Sequence, residues 1–130
     1  MSDLTTFERA VVEKILYGEH PLLKELRRQL TSCCVCKREM TGAGFYIYFE
    51  VGISSLKSNI DLRIGDVIAD ITELNYGAGF VLYIKNSKLY MLEGYSYEEP
   101  WPNSISKYYL KYISGDNRDL TNLDKMLEGK

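Results

Sequence analysis

The sequence predicts an α+β domain, with two N-terminal helices packed on an antiparallel sheet of about five or six strands. Apolar residues recur at helical spacing as far as Leu30, and from Ser32 onward the period changes to two. Each amphipathic helix needs an apolar surface to cover, and a half-buried antiparallel sheet supplies one.

The first helix opens at Thr5 and Glu8, which have capping-box spacing, and Phe7, Val11, Val12, Ile15 and Leu16 form its apolar stripe. Gly18 stops it. Pro21 suits the first turn of a second helix, with Leu22, Leu23, Leu26 and Leu30 on one side and Lys24, Glu25, Arg27 and Arg28 mostly on the other. Residues 32–40 are compatible with a strand. Alternation is clearer for Phe45, Ile47, Phe49 and Val51 against Tyr46, Tyr48 and Glu50, and for Val67, Ala69 and Ile71 against Ile68, Asp70 and Thr72. Phe80, Leu82 and Ile84 alternate with Val81, Tyr83 and Lys85. Leu89, Met91 and Glu93 then alternate with Tyr90, Leu92 and Gly94, after a short hairpin turn at Asn86-Ser87. Gly94 is expected to break that strand. Tyr108 to Ile113 fits a last strand, and residues 115–130 either form a short helix from Thr121 or fray.

A chain of 130 residues is the size of one domain, so residues 1–130 are read as a single α+β unit. Eleven Tyr stand against four Phe, which places many tyrosines at the core edge or on a half-exposed sheet face. The net charge of −2 is distributed without a basic block, so nucleic acid is not an expected partner. No apolar run approaches the ~18 residues of a membrane span. The first residues carry acids and no apolar signal core, so a cytoplasmic location is expected.

Cys33, Cys34 and Cys36 lie too close together to staple a fold and are read as thiols. Their CxxC spacing lacks a second ligand pair, and the sole imidazole, His20, precedes Pro21 at an inter-helix turn, where capping or exposure is the simplest role. No metal or cofactor is expected. Glu93, Glu98 and Glu99 flank an aromatic loop, and Asp66 and Asp70 come from a strand that could be its neighbour; paired carboxylates are the one acid–base option the sequence leaves.

Two segments echo each other: TGAGFYIYFE (41–50) and YGAGFVLYIK (76–85) share Gly-Ala-Gly-Phe. Both run into strands and lack the signatures of a phosphate loop, so they read as one turn device used twice, each opening a strand with an inward Phe. In GYSYEEPWP (94–102), Pro100 and Pro102 bracket the only Trp, Trp101, which plugs one end of the sheet beside Tyr95 or Tyr97, lines a pocket or protein-binding patch with them, or does both.

TGAGF (41–45), GAGFVLYI (77–84) and LEGYSYEEPWP (92–102) together resemble a family of small, functionally uncharacterised bacterial proteins, over roughly Arg38 to Trp101. The resemblance implies an α+β domain and a bacterial origin, and brings no catalytic residues. The functional expectation is a non-enzymatic cytoplasmic domain that binds another protein, immunity- or adaptor-like. Its candidate binding residues are Glu93, Tyr95, Tyr97, Glu98, Glu99 and Trp101. The alternatives are a small-molecule pocket built from Tyr95, Tyr97, Trp101 and Glu93, or a small enzyme using carboxylates alone.

Overall fold

A computed structural model describes residues 4–56, 59–115 and 117–128; residues 1–3, 57–58, 116 and 129–130, including both ends of the chain, lie outside it. The element order is α1 (Thr6–Ile15), α2 (Pro21–Leu30), β1 (Cys34–Met40), β2 (Gly44–Glu50), β3 (Leu62–Ile71), β4 (Ala78–Lys85), β5 (Lys88–Ser96), β6 (Tyr108–Tyr112) and α3 (Thr121–Glu128). The strands form one antiparallel sheet in the order β1-β2-β5-β4-β3-β6. The fold is α+β, as the change of period predicts.

The capping box forms as its spacing requires. Thr5 Oγ1 accepts from the Glu8 amide at 3.1 Å, and Glu8 Oε1 accepts from the Thr5 amide at 2.8 Å. Arg27 closes the other end of α1 by donating to the Leu16 and Gly18 carbonyls. His20 is the N-cap of α2: its Nδ1 accepts from the Leu22 amide at 3.1 Å, which leaves the hydrogen on Nε2, 3.0 Å from Asp124 Oδ1 on α3. One imidazole thus joins α2 to the C-terminal helix.

The helices cover one sheet face. Val11, Val12, Ile15, Leu16, Leu22, Leu23, Leu26 and Leu30 share a core with Phe45, Ile47, Phe80, Leu82, Leu92 and Val67. Phe7 stands between Phe80 and Tyr108, with centroid separations of 5.8 and 4.9 Å. The buried Tyr112 hydroxyl donates to the Lys14 carbonyl at 2.7 Å and ties the edge strand β6 to α1.

Four expectations need correction. Glu25 does not belong to the solvent face of α2: at 6% exposure it is buried, and so is Gln29 at 0%. Positions 22, 25, 26, 29 and 30 form one helical face, and the polar pair on it binds loop and hairpin backbone that a sequence pattern cannot supply. Glu25 Oε1 and Oε2 accept from Arg28 at 2.7 Å and from the Ser55 hydroxyl and amide at 2.7 and 2.9 Å. Gln29 donates to the Ser87 carbonyl at 2.9 Å and accepts from the Leu89 amide at 3.0 Å, pinning the β4–β5 hairpin to α2. The Arg28 guanidinium and these other donors hold the Glu25 carboxyl well below the usual carboxylate range against the cost of burial.

Second, Gly94 does not break β5, which runs on to Ser96. Third, the alternation along β5 fails at Tyr90, where the register slips between Tyr83/Met91 and Ile84/Leu89. Tyr90 is the extra residue of a β-bulge, so Leu89 and Leu92 both point into the core while Met91 and Glu93 point away from it. Fourth, β4 separates β3 from β5, so Asp66 and Asp70 are not next to the strand that carries Glu93.

Candidate functional site

The sheet has a second face, and the residues on it alternate with the core positions. Cross-strand register sets its rows. One runs from Lys37 through Tyr48, Met91 and Tyr83 to Arg63; another from Glu39 through Tyr46 and Glu93 to Val81; a third places Tyr95, Gly79, Ile68 and Lys111 side by side. Tyr90 joins through its bulge and Tyr97 through the loop after β5. Tyr46, Tyr48, Tyr83 and Tyr95 are half-buried against one another, and Tyr90 and Tyr97 are exposed. This is a tyrosine stripe across three strands, β2, β5 and β4.

The stripe is held by defined contacts. Tyr48 and Tyr90 meet edge to face at 6.0 Å, and Tyr95 and Tyr97 do so at 5.5 Å. The Tyr83 hydroxyl donates to Glu93 Oε1 at 3.0 Å. Lys37 lies 5.7 Å above the Tyr48 ring while pairing with Glu39 at 2.7 Å, and Lys85 lies 5.2 Å above Tyr90. Burial, helped by the hydrogen bond to Tyr97, pushes the Tyr95 phenol up to about 12, and burial also raises Tyr48 and Tyr83. These phenols therefore remain neutral donors at physiological pH, and the formal charges on the face come from lysines, arginine and carboxylates of both signs.

The six candidate residues divide across the sheet. Glu93, Tyr95 and Tyr97 are together on the tyrosine face. Trp101 lies on the helix-covered side, packed edge-on against Phe45 at 5.2 Å and Phe80 at 6.5 Å. The pocket of Tyr95, Tyr97, Trp101 and Glu93 therefore does not form, because strand alternation points Phe45 and Phe80 away from Glu93 and Tyr95. Trp101 instead plugs the end of the core and shares a smaller cleft of about 370 Å³ with Phe7, Met40 and Ile105. Glu98 is exposed at φ 56°, in the left-handed region, where it turns the chain back on itself.

Glu99 and Trp101 explain why the three sequence motifs occur together. The Trp101 amide donates to the Gly42 carbonyl at 2.7 Å, and the Glu99 carboxylate accepts from the Asn75 and Tyr76 amides at 2.9 and 3.0 Å. Gly42 and Gly77 both adopt positive φ, 86° and 75°. The loop thus clasps both copies of the repeated turn, and the indole rests on the Phe that each turn directs inward. As expected from the echo, one turn device is used twice; a third segment locks the pair.

Four of the five carboxylates considered for acid–base work have partners, and the fifth, Glu98, is the exposed turn residue. Asp66 takes a bidentate pair from Arg118 at 2.8 Å, Asp70 binds Lys111 at 3.0 Å, Glu93 binds Tyr83, and Glu99 binds the two amides. Cys33 packs at the core edge and the Cys36 thiol donates to the Tyr48 carbonyl at 3.5 Å. Among the described residues no group of three or more His, Cys, Asp or Glu is arranged to hold a metal ion, and no helix is long and apolar enough to cross a membrane.

Tyr46, Tyr48, Tyr83, Tyr90 and Met91 were not among the candidate residues, although alternation in β2 and β4 already put the first three on polar faces. What the alternation lacks is strand order: only the β2-β5-β4 adjacency makes one surface of them. No protein-family model matches the chain, and neither curated proteins nor solved structures match it.

Proposed function

We propose that the protein is a non-enzymatic interaction domain that docks on another protein through its tyrosine face, as an immunity protein or adaptor would. The tyrosine stripe across β2, β5 and β4 carries this reading. Tyrosine presents a large, rigid, amphipathic contact surface at low cost in side-chain entropy, which is why it recurs as an anchor at protein interfaces. Glu93, Tyr95 and Tyr97 of the candidate residues belong to this surface, and Glu93 fixes the Tyr83 hydroxyl. The interleaved charges of both signs suit a protein partner better than a phosphate backbone, which wants a continuous cationic track.

A photo-reactive phenylalanine derivative placed at position 48, 90 or 97 in cells tests this. Positions 17 and 76 serve as controls, because Tyr17 and Tyr76 are 64% and 65% exposed but lie at the end of α1 and in the β3–β4 turn. A discrete protein adduct formed from the tyrosine face and not from the controls is the expected result. Equal adducts from every position, or none from the face, would sink the proposal.

A further inference from the structure

We propose that the cleft beside the β3 bulge is a second binding site, for a small amphipathic anion with an apolar body and a carboxylate-type headgroup. The cleft has a volume of about 750 Å³, within the ~300–1,000 Å³ usual for small-molecule sites. Ile64 and Leu123 are buried at its base, Val81 and Leu120 form half-buried walls, and Ile113 stands at the lip with 66% of its surface exposed.

Gly65 keeps the space open. It and Asp66 together oppose the single residue Val81, and a side chain at 65 would enter the cleft beside Val81. The fold does not require glycine there. Its φ is not in the left-handed region, and a Cβ would meet Val81 Cγ2 at 3.4 Å, an ordinary contact. Gly44, by contrast, would bring a Cβ to 1.9 Å from the Gly94 carbonyl oxygen. The vacancy at 65 is thus a property of the cleft rather than of the backbone.

The polar groups around the cleft select the sign of the headgroup. The Arg118 guanidinium, 7% exposed, is held by Asp66, so that pair is a fixed wall. Asp119 accepts from the Thr121 amide at 2.9 Å and attracts Lys125 only at longer range. Arg63 is engaged by the Tyr83 phenol, a neutral partner that leaves its charge unbalanced. Among the described residues neither Arg63 nor Lys125 is in an ion pair, so an anionic headgroup can pair with either rim cation.

Methyl-resolved NMR titration with decanoate tests the proposal, with decanol and decylammonium as charge controls. Decanoate is expected to shift the methyls of Val81, Ile113, Leu120 and Leu123 saturably, at one molecule per chain, and to bind at least about tenfold more tightly than either control. Gly65→Leu should fill the cleft, keep the wild-type melting temperature within a few degrees, and weaken decanoate at least about tenfold. Arg63→Gln should weaken decanoate and leave decanol unchanged, and decides the matter should Gly65→Leu fold poorly. Shifts confined to other methyls, equal binding of decanoate and decanol, or decanoate binding unaffected by Arg63→Gln would overturn it.

Discussion

Phe45 on β2 faces Gly94 on β5, and its ring occupies the volume a side chain at position 94 would need: a Cβ there would lie 2.3 Å from Phe45 Cε1. Trp101 braces that ring from the side, so Phe45 cannot swing clear. The same kind of close approach recurs with different neighbours. A Cβ at Gly44 would strike the Gly94 carbonyl, and one at Gly79 would strike the far end of the Tyr95 ring at 2.5 Å.

The three glycine-to-alanine variants should therefore rank by what each Cβ meets. Gly79→Ala is expected to cost about 1 kcal/mol, because Tyr95 can tilt into solvent; Gly94→Ala about 3 kcal/mol, because Phe45 is confined in the core; and Gly44→Ala more than either, because backbone must move. Urea denaturation of the three gives the order. Combining Gly94→Ala with Phe45→Leu should recover part of the loss, and an additive double variant would show that the two residues are not coupled.

Glu25 makes stability depend on acid. Its pKa in the fold is depressed below the ordinary 4.5, chiefly by Arg28. Its contribution is therefore complete above about pH 4.5 and is lost as pH falls towards the depressed folded value. Glu25→Gln is expected to cost about 2 kcal/mol at pH 7 and to flatten the loss of stability between about pH 5 and pH 2. Denaturation midpoints across that range measure both; an acid limb as steep in the variant as in the wild type would assign it to other carboxylates.

Trp101 and Tyr97 share a motif but should behave differently. Trp101→Ala removes the plug between Phe45 and Phe80 and is expected to cost about 2–3 kcal/mol. Tyr97→Ala, at a position 41% exposed, should stay within about 0.5 kcal/mol of the wild type. Thermal unfolding of the two variants separates the clasp from the surface, and comparable losses would mean that Tyr97 is also part of the fold.

The alkaline limb has its own source in Tyr95. With its phenol raised to about 12 by burial, the folded state resists ionisation that the unfolded chain undergoes near pH ~10. The contribution is full below about pH 10 and is lost as pH rises through 12. Tyr95→Phe removes a group that ionises more easily when unfolded, so the variant should lose less stability than the wild type between about pH 10 and 12. Denaturation at those two pH values gives the comparison.

Local order was legible along most of the chain. The capping box at Thr5 and Glu8, Pro21 at the head of α2, the period-two runs in β2 and β4, the Asn86-Ser87 turn and the paired GAG turns all depend on residues a few positions apart, and each appears in the structure. Asn86 and Ser87 take φ of 52° and 62°, as a two-residue hairpin turn requires. Where the structure departs from local pattern, the cause is a second strand. β-Propensity counts the missing side chain of Gly94 against a strand, whereas opposite Phe45 that absence is what lets the strands close. Tyr90 fits the alternation of a single strand, and a bulge is a two-strand property.

From its own sequence the chain determines which segments are helices and which are strands, since periodicity is set by neighbours at i+2, i+3 and i+4. It also determines that many tyrosines must sit on half-covered surface. Only the tertiary structure decides that β5 lies between β2 and β4, from which the tyrosine stripe follows, and that α2 lies where Glu25 meets the Ser55 loop and Gln29 meets the β4–β5 hairpin. Strand order is a matter of long-range pairing, and its energy comes from residues dozens of positions apart filling one another's space.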